Sequence, residues 1–300
     1  MIPRLDAQKL ASNDADSIAE MHEAATVTGF ATVYNTVLSG DRIVEILELY
    51  RAFFHLPMAE KARVDMARTG SNRGWGASGS EQVDPNANPD YKEFFDCGFT
   101  LPASDPRSSL EVYAPNLWPD NPPAFRKEIE TYYAQACEVA MGVLRAVARA
   151  IELPFDYFDN AFEAPMALLR GNFYPERPEW ATAKDFGIAA HTDYGCLTLL
   201  ATDGSPGLEV LKREGGWIPV SAPPGEFIIN FGEMMEIWSE GRVKATAHRV
   251  VGTMHERLSI PLFFNPSVDT NIAPIGSGQT ILAGDHLAQR FRETYVHLKG

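Results

Sequence analysis

The chain has 300 residues, of which 45% are hydrophobic and 22% are charged, as in an ordinary soluble globular protein. A chain of this length can bury a full core without disulfides or a structural metal. The formal net charge of −14 argues against a nucleic-acid surface, because binding to phosphates requires clusters of Lys and Arg. Nucleic acid is therefore not an expected partner.

Cysteine usage and the N-terminus indicate a cellular location. The sequence has an odd number of cysteines and no Cys-x-x-Cys motif, so reduced thiols are the simplest interpretation of Cys97, Cys137 and Cys196. The N-terminus lacks the apolar core of a secretory signal. No segment approaches the roughly 20 apolar residues of a membrane span. We therefore expect a cytoplasmic protein without a membrane partner.

Residues 1–165 are predicted to be mainly helical. Apolar spacing, capping residues and an N-terminal proline predict helices over Ala11–Thr28 and Asp41–Leu56, from Pro57 onward, and over Ala124–Leu153. Short strands are predicted over Gly29–Tyr34 and Lys92–Thr100. The predicted loop Thr69–Asn88 contains a match to the dinucleotide motif G-x-G-x-x-G at Gly74–Gly79. We reject this match, because the motif requires a preceding strand and a helix that begins within it.

Residues 166–282 consist of short apolar strands between turn residues, which is typical of a β-sandwich or barrel. Helices followed by strands predict an α+β fold. Within residues 283–300 a last helix is predicted over Asp285–Leu298. The predicted strands are Ala167–Tyr174, Gly187–His191, Leu197–Thr202, Leu208–Leu211, Trp217–Pro219, Phe227–Phe231, Thr246–Val251 and Leu258–Phe264.

His191 and Asp193 lie where a predicted strand reaches a turn. Residues i and i+2 of a strand face the same way and are about 6.6 Å apart along the chain. An imidazole and a carboxylate therefore point into one space, and they form two thirds of the 2-His-1-carboxylate triad that suits non-haem Fe(II). The pair alone is weak evidence, because a capped turn with a hydrogen-bonded histidine gives the same pattern.

His248 is the best candidate for the third ligand. It lies on the predicted strand Thr246–Val251, and a jelly roll brings such distant strands together across its mouth. The remaining histidines fall on predicted helices or in a turn and are more typical of surface or packing residues; they are His22, His55, His255, His286 and His297.

Two further pairs of polar residues lie on predicted strands. Arg257 and Ser259 face one direction, and a guanidinium with a hydroxyl can hold a carboxylate. An ion pair at a solvated strand end is the alternative interpretation. Asn172 and Tyr174 form the second pair, and the phenol could complete the same carboxylate site.

The ordered set His191-x-Asp193, His248 and Arg257-x-Ser259 resembles the signature of the Fe(II)/2-oxoglutarate-dependent oxygenases. The pair Asn172-x-Tyr174 narrows the resemblance to the isopenicillin N synthase-like branch. Because the resemblance covers nearly the whole chain, it implies one oxygenase domain over residues 1–300. The implied fold has a double-stranded β-helix (jelly-roll) core with flanking helices.

The resemblance also implies a chemistry and roles for individual residues. Fe(II) would be held by His191, Asp193 and His248. The distal carboxylate of 2-oxoglutarate would be held by Arg257, Ser259 and Tyr174, with Asn172 assisting nearby. With O2, such an enzyme oxidises a small molecule, usually by hydroxylation and otherwise by desaturation or ring closure, and releases succinate and CO2. No catalytic residue beyond the metal ligands is needed.

Two alternatives stay open at this point. Isopenicillin N synthase uses no 2-oxoglutarate and the related aminocyclopropane-carboxylate oxidases use ascorbate, so an oxidase without this cosubstrate is one alternative. A non-catalytic jelly-roll binding protein is the other. Family position and polarity give a set of candidate substrate-binding residues, which are Arg73, Trp75, Phe95, Arg170, Phe263, Asn265 and Phe291.

Overall fold

A computed structural model of the protein describes residues 2–69, 71–80, 91–176, 188–251, 255–274 and 276–294. Within them the α-helices are α1 (Ala7–Ala11), α2 (Ala15–Glu23), α3 (Gly40–Phe54), α4 (Met58–Lys61), α5 (Phe125–Ala150), α6 (Glu233–Trp238) and α7 (Ala283–Thr294). The strands are β1 (Arg4–Asp6), β2 (Phe30–Tyr34), β3 (Gly74–Gly76), β4 (Glu93–Gly98), β5 (Leu168–Tyr174), β6 (Ile188–His191), β7 (Leu197–Thr202), β8 (Leu208–Leu211), β9 (Trp217–Pro219), β10 (Phe227–Phe231), β11 (His248–Val250) and β12 (Arg257–Phe264).

The strands form a large and a small sheet. The large sheet has the order β1-β2-β10-β7-β12-β5-β4-β3, and the small sheet has the order β6-β11-β8-β9. Apolar side chains from both sheets pack together between them, and they include Leu200 and Ile228 of the large sheet and Val210 and Val250 of the small sheet. Two facing sheets with flanking helices confirm the predicted α+β fold with a jelly-roll core.

The outer face of the large sheet is covered by α3 and α5. Their apolar residues recur at helical spacing, so each helix buries one face against the sheet. Aromatic rings form the centre of this contact: the ring centroids of Phe53 and Phe95 are 5.1 Å apart, and those of Phe53 and Phe125 are 5.3 Å apart. The helices thereby leave the opposite face of the sheet to line the interior of the jelly roll.

The N-terminal strands lie at both edges of the large sheet. Strands β1 and β2 form one edge and β3 and β4 form the other, whereas β10, β7, β12 and β5 lie between them. Strand β4 pairs with β5, and β2 pairs with β10. The central strands β5 and β12, which carry the predicted carboxylate site, are therefore flanked on both sides.

The structure differs from the sequence-based expectation in the first 30 residues. The single helix predicted over Ala11–Thr28 is divided, because α1 ends at Ala11 and the Asp14 side chain caps α2. A π-helical turn over Ala24–Thr28 then ends at Gly29, which has a φ of 70°. A Cβ at Gly29 would lie 2.2 Å from Thr246 Oγ1, so the close approach requires glycine here.

The other differences concern short or terminal elements. Strands β1 and β3, of three residues each, were not predicted, and β3 lies within the segment predicted as a loop. Helix α7 begins two residues before the predicted Asp285, and residues 295–298 of the predicted helix lie outside the described residues. Gly187 and residues 81–88 of the predicted loop also lie outside them.

Gly171 provides a test of the contact between β5 and α3. A Cβ at this position would lie 2.3 Å from the Tyr50 ring, so we expect Gly171→Ala to lower the free energy of unfolding by about 1–3 kcal/mol. Gly142 on α5 has no heavy atom within 4 Å of its added Cβ, and Gly142→Ala should raise that free energy by about 0.5–1 kcal/mol. Urea unfolding measures both, and an unchanged midpoint for Gly171→Ala would contradict the packing.

Candidate active site

The pairing of β6 with β11 brings the two predicted histidine ligands together. His191 ends β6, His248 begins β11, and the two residues are direct partners across the antiparallel pair. Their ring centroids are 4.3 Å apart. Asp193 follows two residues after His191, and its Oδ1 is 3.7 Å from His191 Nε2 and 3.8 Å from His248 Nε2. The ligand atoms of all three side chains lie within 4.8 Å of one another, as the sequence predicts.

Backbone carbonyls orient both imidazoles. His191 Nδ1 is 2.8 Å from the carbonyl oxygen of Ala189, and His248 Nδ1 is 3.3 Å from that of Thr246. Because a carbonyl only accepts, Nδ1 carries the proton and the Nε2 lone pair faces the centre of the triad. Burial, with a contribution from nearby His191, lowers the pKa of His248 to about 4. His248 is therefore neutral near pH 7, which is the form that ligates metals.

Asp193 presents one carboxylate oxygen to the histidines and uses the other within the protein. Its Oδ2 accepts hydrogen bonds from Thr198 Oγ1 and, at 2.6 Å, from Asn230 Nδ2. Burial raises the pKa of Asp193, but the two neighbouring histidines and these hydrogen bonds outweigh it, so the pKa lies below its usual value. Asp193 is therefore ionised, and Oδ1 is available as a ligand.

The turn that carries Asp193 is held from two sides. The start of α6 donates to it, with Glu233 N 2.8 Å from the Asp193 carbonyl oxygen. Gly232 permits this approach, because a Cβ there would lie 2.3 Å from the Gly195 carbonyl oxygen. On the other side Asn265 Oδ1 accepts a hydrogen bond of 2.9 Å from Cys196 N. The position of the carboxylate is thus fixed by backbone contacts on both flanks.

The donor set fits a single divalent metal. Two imidazole nitrogens and one carboxylate oxygen form the 2-His-1-carboxylate facial triad, which leaves other coordination positions for ligands and suits Fe(II). All three donors have hydrogen bonds that orient them, which is the usual feature of a prepared metal site.

A second cluster lies at the far end of the inner face of the large sheet. Arg257 pairs with Tyr174 and Ser259 pairs with Asn172 across β12 and β5, and all four side chains are buried. The Arg257 guanidinium carbon is 5.0 Å from the centroid of the Tyr174 ring. Alternation along both strands places the four side chains on one face.

Arg257 has no anionic partner among the described residues. The residue is 2% exposed, and its Nε and Nη1 atoms have no acceptor within hydrogen-bonding distance in this part of the chain. The buried Asn172 Oδ1 likewise has no donor there. A buried charge without a counter-charge is costly, so this cluster fits a carboxylate ligand that the protein does not itself supply.

Two of the candidate substrate-binding residues share this inner face. Arg170 precedes Asn172 by two positions, and its Nε and Nη2 donate to the Asp96 carboxylate at 2.8 and 2.7 Å. Its guanidinium lies 4.1 Å from the centroid of the Phe94 ring. Phe263 is partly exposed and pairs with Thr198, the residue that bonds Asp193. Both candidates therefore lie on the face of the large sheet that carries the Arg257 cluster and that bonds Asp193 through Thr198.

Trp75 and Phe95 do not lie on that face. Phe95 is in the aromatic contact with Phe53 of α3, and its cross-strand partner Trp75 donates from Nε1 to Glu93 Oε2 at 2.8 Å. Both side chains belong to the core between sheet and helices. Their positions therefore do not support a role in substrate binding.

The three remaining candidates make structural contacts. Arg73 is 2% exposed and donates to the carbonyl oxygens of Asn72 and Val112 at 2.7 Å each. Asn265 uses its amide oxygen to hold the Cys196 backbone. Phe291 on α7 lies 6.4 Å from the Tyr194 ring, measured between centroids, and so contacts the residue after Asp193.

Several residues of the site were not predicted, namely Thr198, Asn230, Asp96 and Phe94. Asn230 carried a readable signal, because it is the only polar residue in the apolar strand Phe-Ile-Ile-Asn-Phe. A buried polar side chain on such a strand requires a partner. Thr198 in β7 is a weaker example of the same pattern.

Comparison with known proteins identifies the family. Residues 2–121 match the family model described as non-haem dioxygenase in morphine synthesis N-terminal, and residues 165–266 match the 2OG-Fe(II) oxygenase superfamily. A 2-oxoglutarate-dependent dioxygenase of Didymella fabae is 31% identical over 301 residues, with coverage of 93% of this chain and 90% of that protein. The chain therefore belongs to the 2OG-Fe(II) oxygenase superfamily.

Solved structures agree with this assignment. A full-length Neurospora crassa protein, solved in complex with alpha-KG, has a TM-score of 0.86 and 26% identity, with coverage of 98% of this chain and 96% of that one. A 2OG-Fe(II) oxygenase family protein from Caulobacter crescentus has a TM-score of 0.86 and 29% identity, with coverage of 97% and 98%. The predicted isopenicillin N synthase-like branch is consistent with these matches.

The family membership confirms the predicted oxidoreductase chemistry. The protein is a dioxygenase that uses Fe(II), 2-oxoglutarate and O2, with the His191, Asp193 and His248 triad as the candidate iron site. The named relatives favour this assignment over an oxidase without 2-oxoglutarate and over a binding protein without activity. Among the described helices, none has the length and apolar character needed to cross a membrane.

Substitution of Asp193 tests the metal site. We expect Asp193→Ala to abolish both turnover and the rise in unfolding temperature on addition of Co(II), which binds such sites at least as tightly as Fe(II). The metal-free variant should still fold, because the carboxylate is a ligand and not part of the apolar core. Asp156→Ala, at an exposed position, is the matched control and should behave as the unaltered protein does. Full activity of the Asp193→Ala protein would refute the assignment of the triad as the metal site.

Proposed function

We propose that this dioxygenase hydroxylates a small molecule, with 2-oxoglutarate bound between the triad and Arg257. The observation that carries the cosubstrate site is the buried Arg257 guanidinium, whose Nε and Nη1 atoms are unpaired among the described residues. Arg257 lies on the inner face of the large sheet, the same face from which Thr198 donates to the triad residue Asp193. Fe(II), when bound with 2-oxoglutarate and O2, supplies the oxidising chemistry, and the protein supplies binding and orientation.

Arg257 would bind the carboxylate of 2-oxoglutarate that is remote from the metal. A guanidinium binds a carboxylate through two parallel, charge-assisted hydrogen bonds, which fix its direction as well as its position. Ser259 and Tyr174, both buried beside Arg257, would add hydroxyl donors. Asn172, whose buried Oδ1 is unpaired among the described residues, would lie next to the cosubstrate.

Apolar side chains between the two clusters would keep water away from the cosubstrate. Leu200 and Ile228 of the large sheet and Val210 of the small sheet are all at most 9% exposed and pack together. Exclusion of water strengthens the charge-assisted bonds at Arg257, because electrostatic interactions grow as the local dielectric falls. The same exclusion would favour coupling of 2-oxoglutarate consumption to substrate oxidation.

The small-molecule substrate would lie toward β4 and β5. Arg170, with its bidentate contact to Asp96, places paired charges beside the Phe94 ring, and Phe263 adds an apolar surface near the triad. This combination favours a substrate with a polar group next to an apolar or flat portion. The polar group would contact the Arg170–Asp96 pair, and the C–H bond to be oxidised would face the metal.

A screen for substrate-dependent succinate release tests the function. Purified protein with Fe(II), 2-oxoglutarate and O2 is incubated with fractionated small-molecule metabolites, and the Asp193→Ala protein serves as the blank. We expect succinate above the blank with at least one substrate, and a product heavier by one oxygen atom. A product lighter by two hydrogens would instead indicate desaturation or ring closure. Iron-dependent oxidation of a substrate without consumption of 2-oxoglutarate would contradict the proposal.

Substitution of Arg257 tests the cosubstrate site separately. A hydrogen bond to a charged group contributes about 1.5–3 kcal/mol, and about 1.4 kcal/mol corresponds to a tenfold change in affinity. Arg257→Leu should therefore raise the KM for 2-oxoglutarate at least tenfold and leave the KM for the small-molecule substrate nearly unchanged. Arg257→Lys keeps the charge but loses the planar guanidinium group. Its KM for 2-oxoglutarate should therefore lie between those of the unaltered protein and of Arg257→Leu.

The matched control is Arg126→Leu on the exposed face of α5. The kinetics are read alongside calorimetric titration of 2-oxoglutarate into the Mn(II)-loaded proteins, which measures binding without turnover. An unaltered 2-oxoglutarate requirement in both Arg257 variants would argue for a different cosubstrate site.

A further inference from the structure

Helix α7 contacts the turn that carries the metal ligand Asp193. His286 Nε2 is 3.0 Å from the carbonyl oxygen of Tyr194, the residue directly after Asp193. The Arg290 guanidinium lies 4.6 Å from the centroid of the Tyr194 ring. Two successive turns of α7 therefore contact the turn on one side of the metal site.

Glu233 connects this helix with the ligand segment. Its Oε1 accepts hydrogen bonds from Thr192 Oγ1 at 2.6 Å and from Arg290 Nη2 at 3.0 Å. Its Oε2 lies 2.9 Å from Arg290 Nε, so both carboxylate oxygens are close to the guanidinium. The backbone N–H of the same Glu233 donates to the Asp193 carbonyl oxygen. Glu233 thus contacts Thr192, which lies between two ligands, and the ligand Asp193 itself. It also contacts Arg290 of α7.

These contacts are directional and do not consist of core packing. The side chains of Arg290 and Glu233 are 31% and 25% exposed, so the burial of apolar area contributes little at this point. The hydrogen bond from Arg290 Nη2, together with the ion pair, instead orients the Glu233 carboxylate, and that carboxylate accepts from the Thr192 hydroxyl. Thr192 lies between His191 and Asp193, so a rotation of its backbone would move both ligand atoms.

We propose that Arg290 is a positioning residue for the metal ligands. Through Glu233, it holds the His191–Asp193 segment in the geometry that binds the metal, so metal affinity depends on α7 although α7 supplies no ligand. This inference relies on the triad being the metal site of the proposed function. Residues that orient metal ligands typically change metal affinity or activity by about 10–100-fold when they are replaced.

The test measures Co(II) affinity by absorption titration, without cosubstrate, substrate or turnover. We expect Arg290→Met, which keeps much of the side-chain length but removes the charge and the fork, to weaken Co(II) binding about tenfold. Arg290→Lys should recover part of the affinity. Arg292→Met, the same substitution at an exposed position on the same helix, is the matched control and should bind Co(II) like the unaltered protein.

A second variant separates positioning from general stability. If Arg290 acts through Glu233, Arg290→Met should have little further effect in a Glu233→Gln background, because both changes remove the same ion pair. Metal-free Arg290→Met should also unfold at nearly the temperature of metal-free Arg292→Met. Should Arg290→Met fail to fold, Arg290→Lys and Glu233→Gln provide the same comparison of affinities.

Equal Co(II) affinity in the Arg290→Met and Arg292→Met proteins would overturn the inference. Independent, additive losses from Arg290→Met and Glu233→Gln would do the same, because they would show that the two residues do not act together. Failure of the unaltered protein to bind Co(II) would instead refute the metal site of the proposed function, and the two failures are thereby distinguishable.

Discussion

The register between β6 and β11 is the constraint on which the site depends. His191 and His248 are partners in this pairing, and the ladder shifts between His248 and Val250. Because side chains alternate along a strand, a slip of one residue would turn one imidazole away from the other. The contact of His248 with the Phe30 ring, at 5.5 Å between centroids, adds a specific neighbour on the large sheet. The register and this contact together fix the two nitrogen donors before any metal binds.

Asp193 and Arg257, the charges at the two ends of the site, are stabilised in different ways. Asp193 has its own donors, Thr198 and Asn230, so the carboxylate is stable in the protein alone. Arg257 has no equivalent partner among the described residues, and in the proposed function it binds a carboxylate from outside the chain. The triad end of the site is therefore prepared by the fold, whereas under the proposed function the Arg257 end is completed by 2-oxoglutarate. Such a ligand would stabilise the folded state as it binds, by simple mass action.

The sequence predicted the features that depend on local spacing. Strands β7 to β10 were predicted to the residue, because turn residues bound each of them. The ligand pair His191 and Asp193 followed from the period of two, and His248 followed from the expected jelly roll. The sequence could not show which side chains of β4 face the helices and which face the interior of the jelly roll, because Phe94 and Phe95 are adjacent and chemically identical. Only the position of α3 shows that Phe95 faces the helices.

Contacts between distant elements were also beyond the reach of local patterns. Glu233 and Arg290 each resemble an ordinary surface charge in the sequence, and their connection with Thr192 depends on how α6 and α7 pack around the ligand turn. Trp75 was predicted in a loop, whereas pairing with β4 makes its segment an edge strand.

The strand order of the large sheet has a consequence for how the protein is made. The pairs β1–β2 and β3–β4 leave the ribosome first, yet their neighbours β10 and β5 follow much later in the chain. Such non-local pairing slows folding, because the entropy of loop closure is lost before the stabilising contacts between the strands can form. During synthesis the inner edges of both pairs present unpaired backbone groups that can associate with other chains. The large sheet is therefore complete only after the central strands have been synthesised.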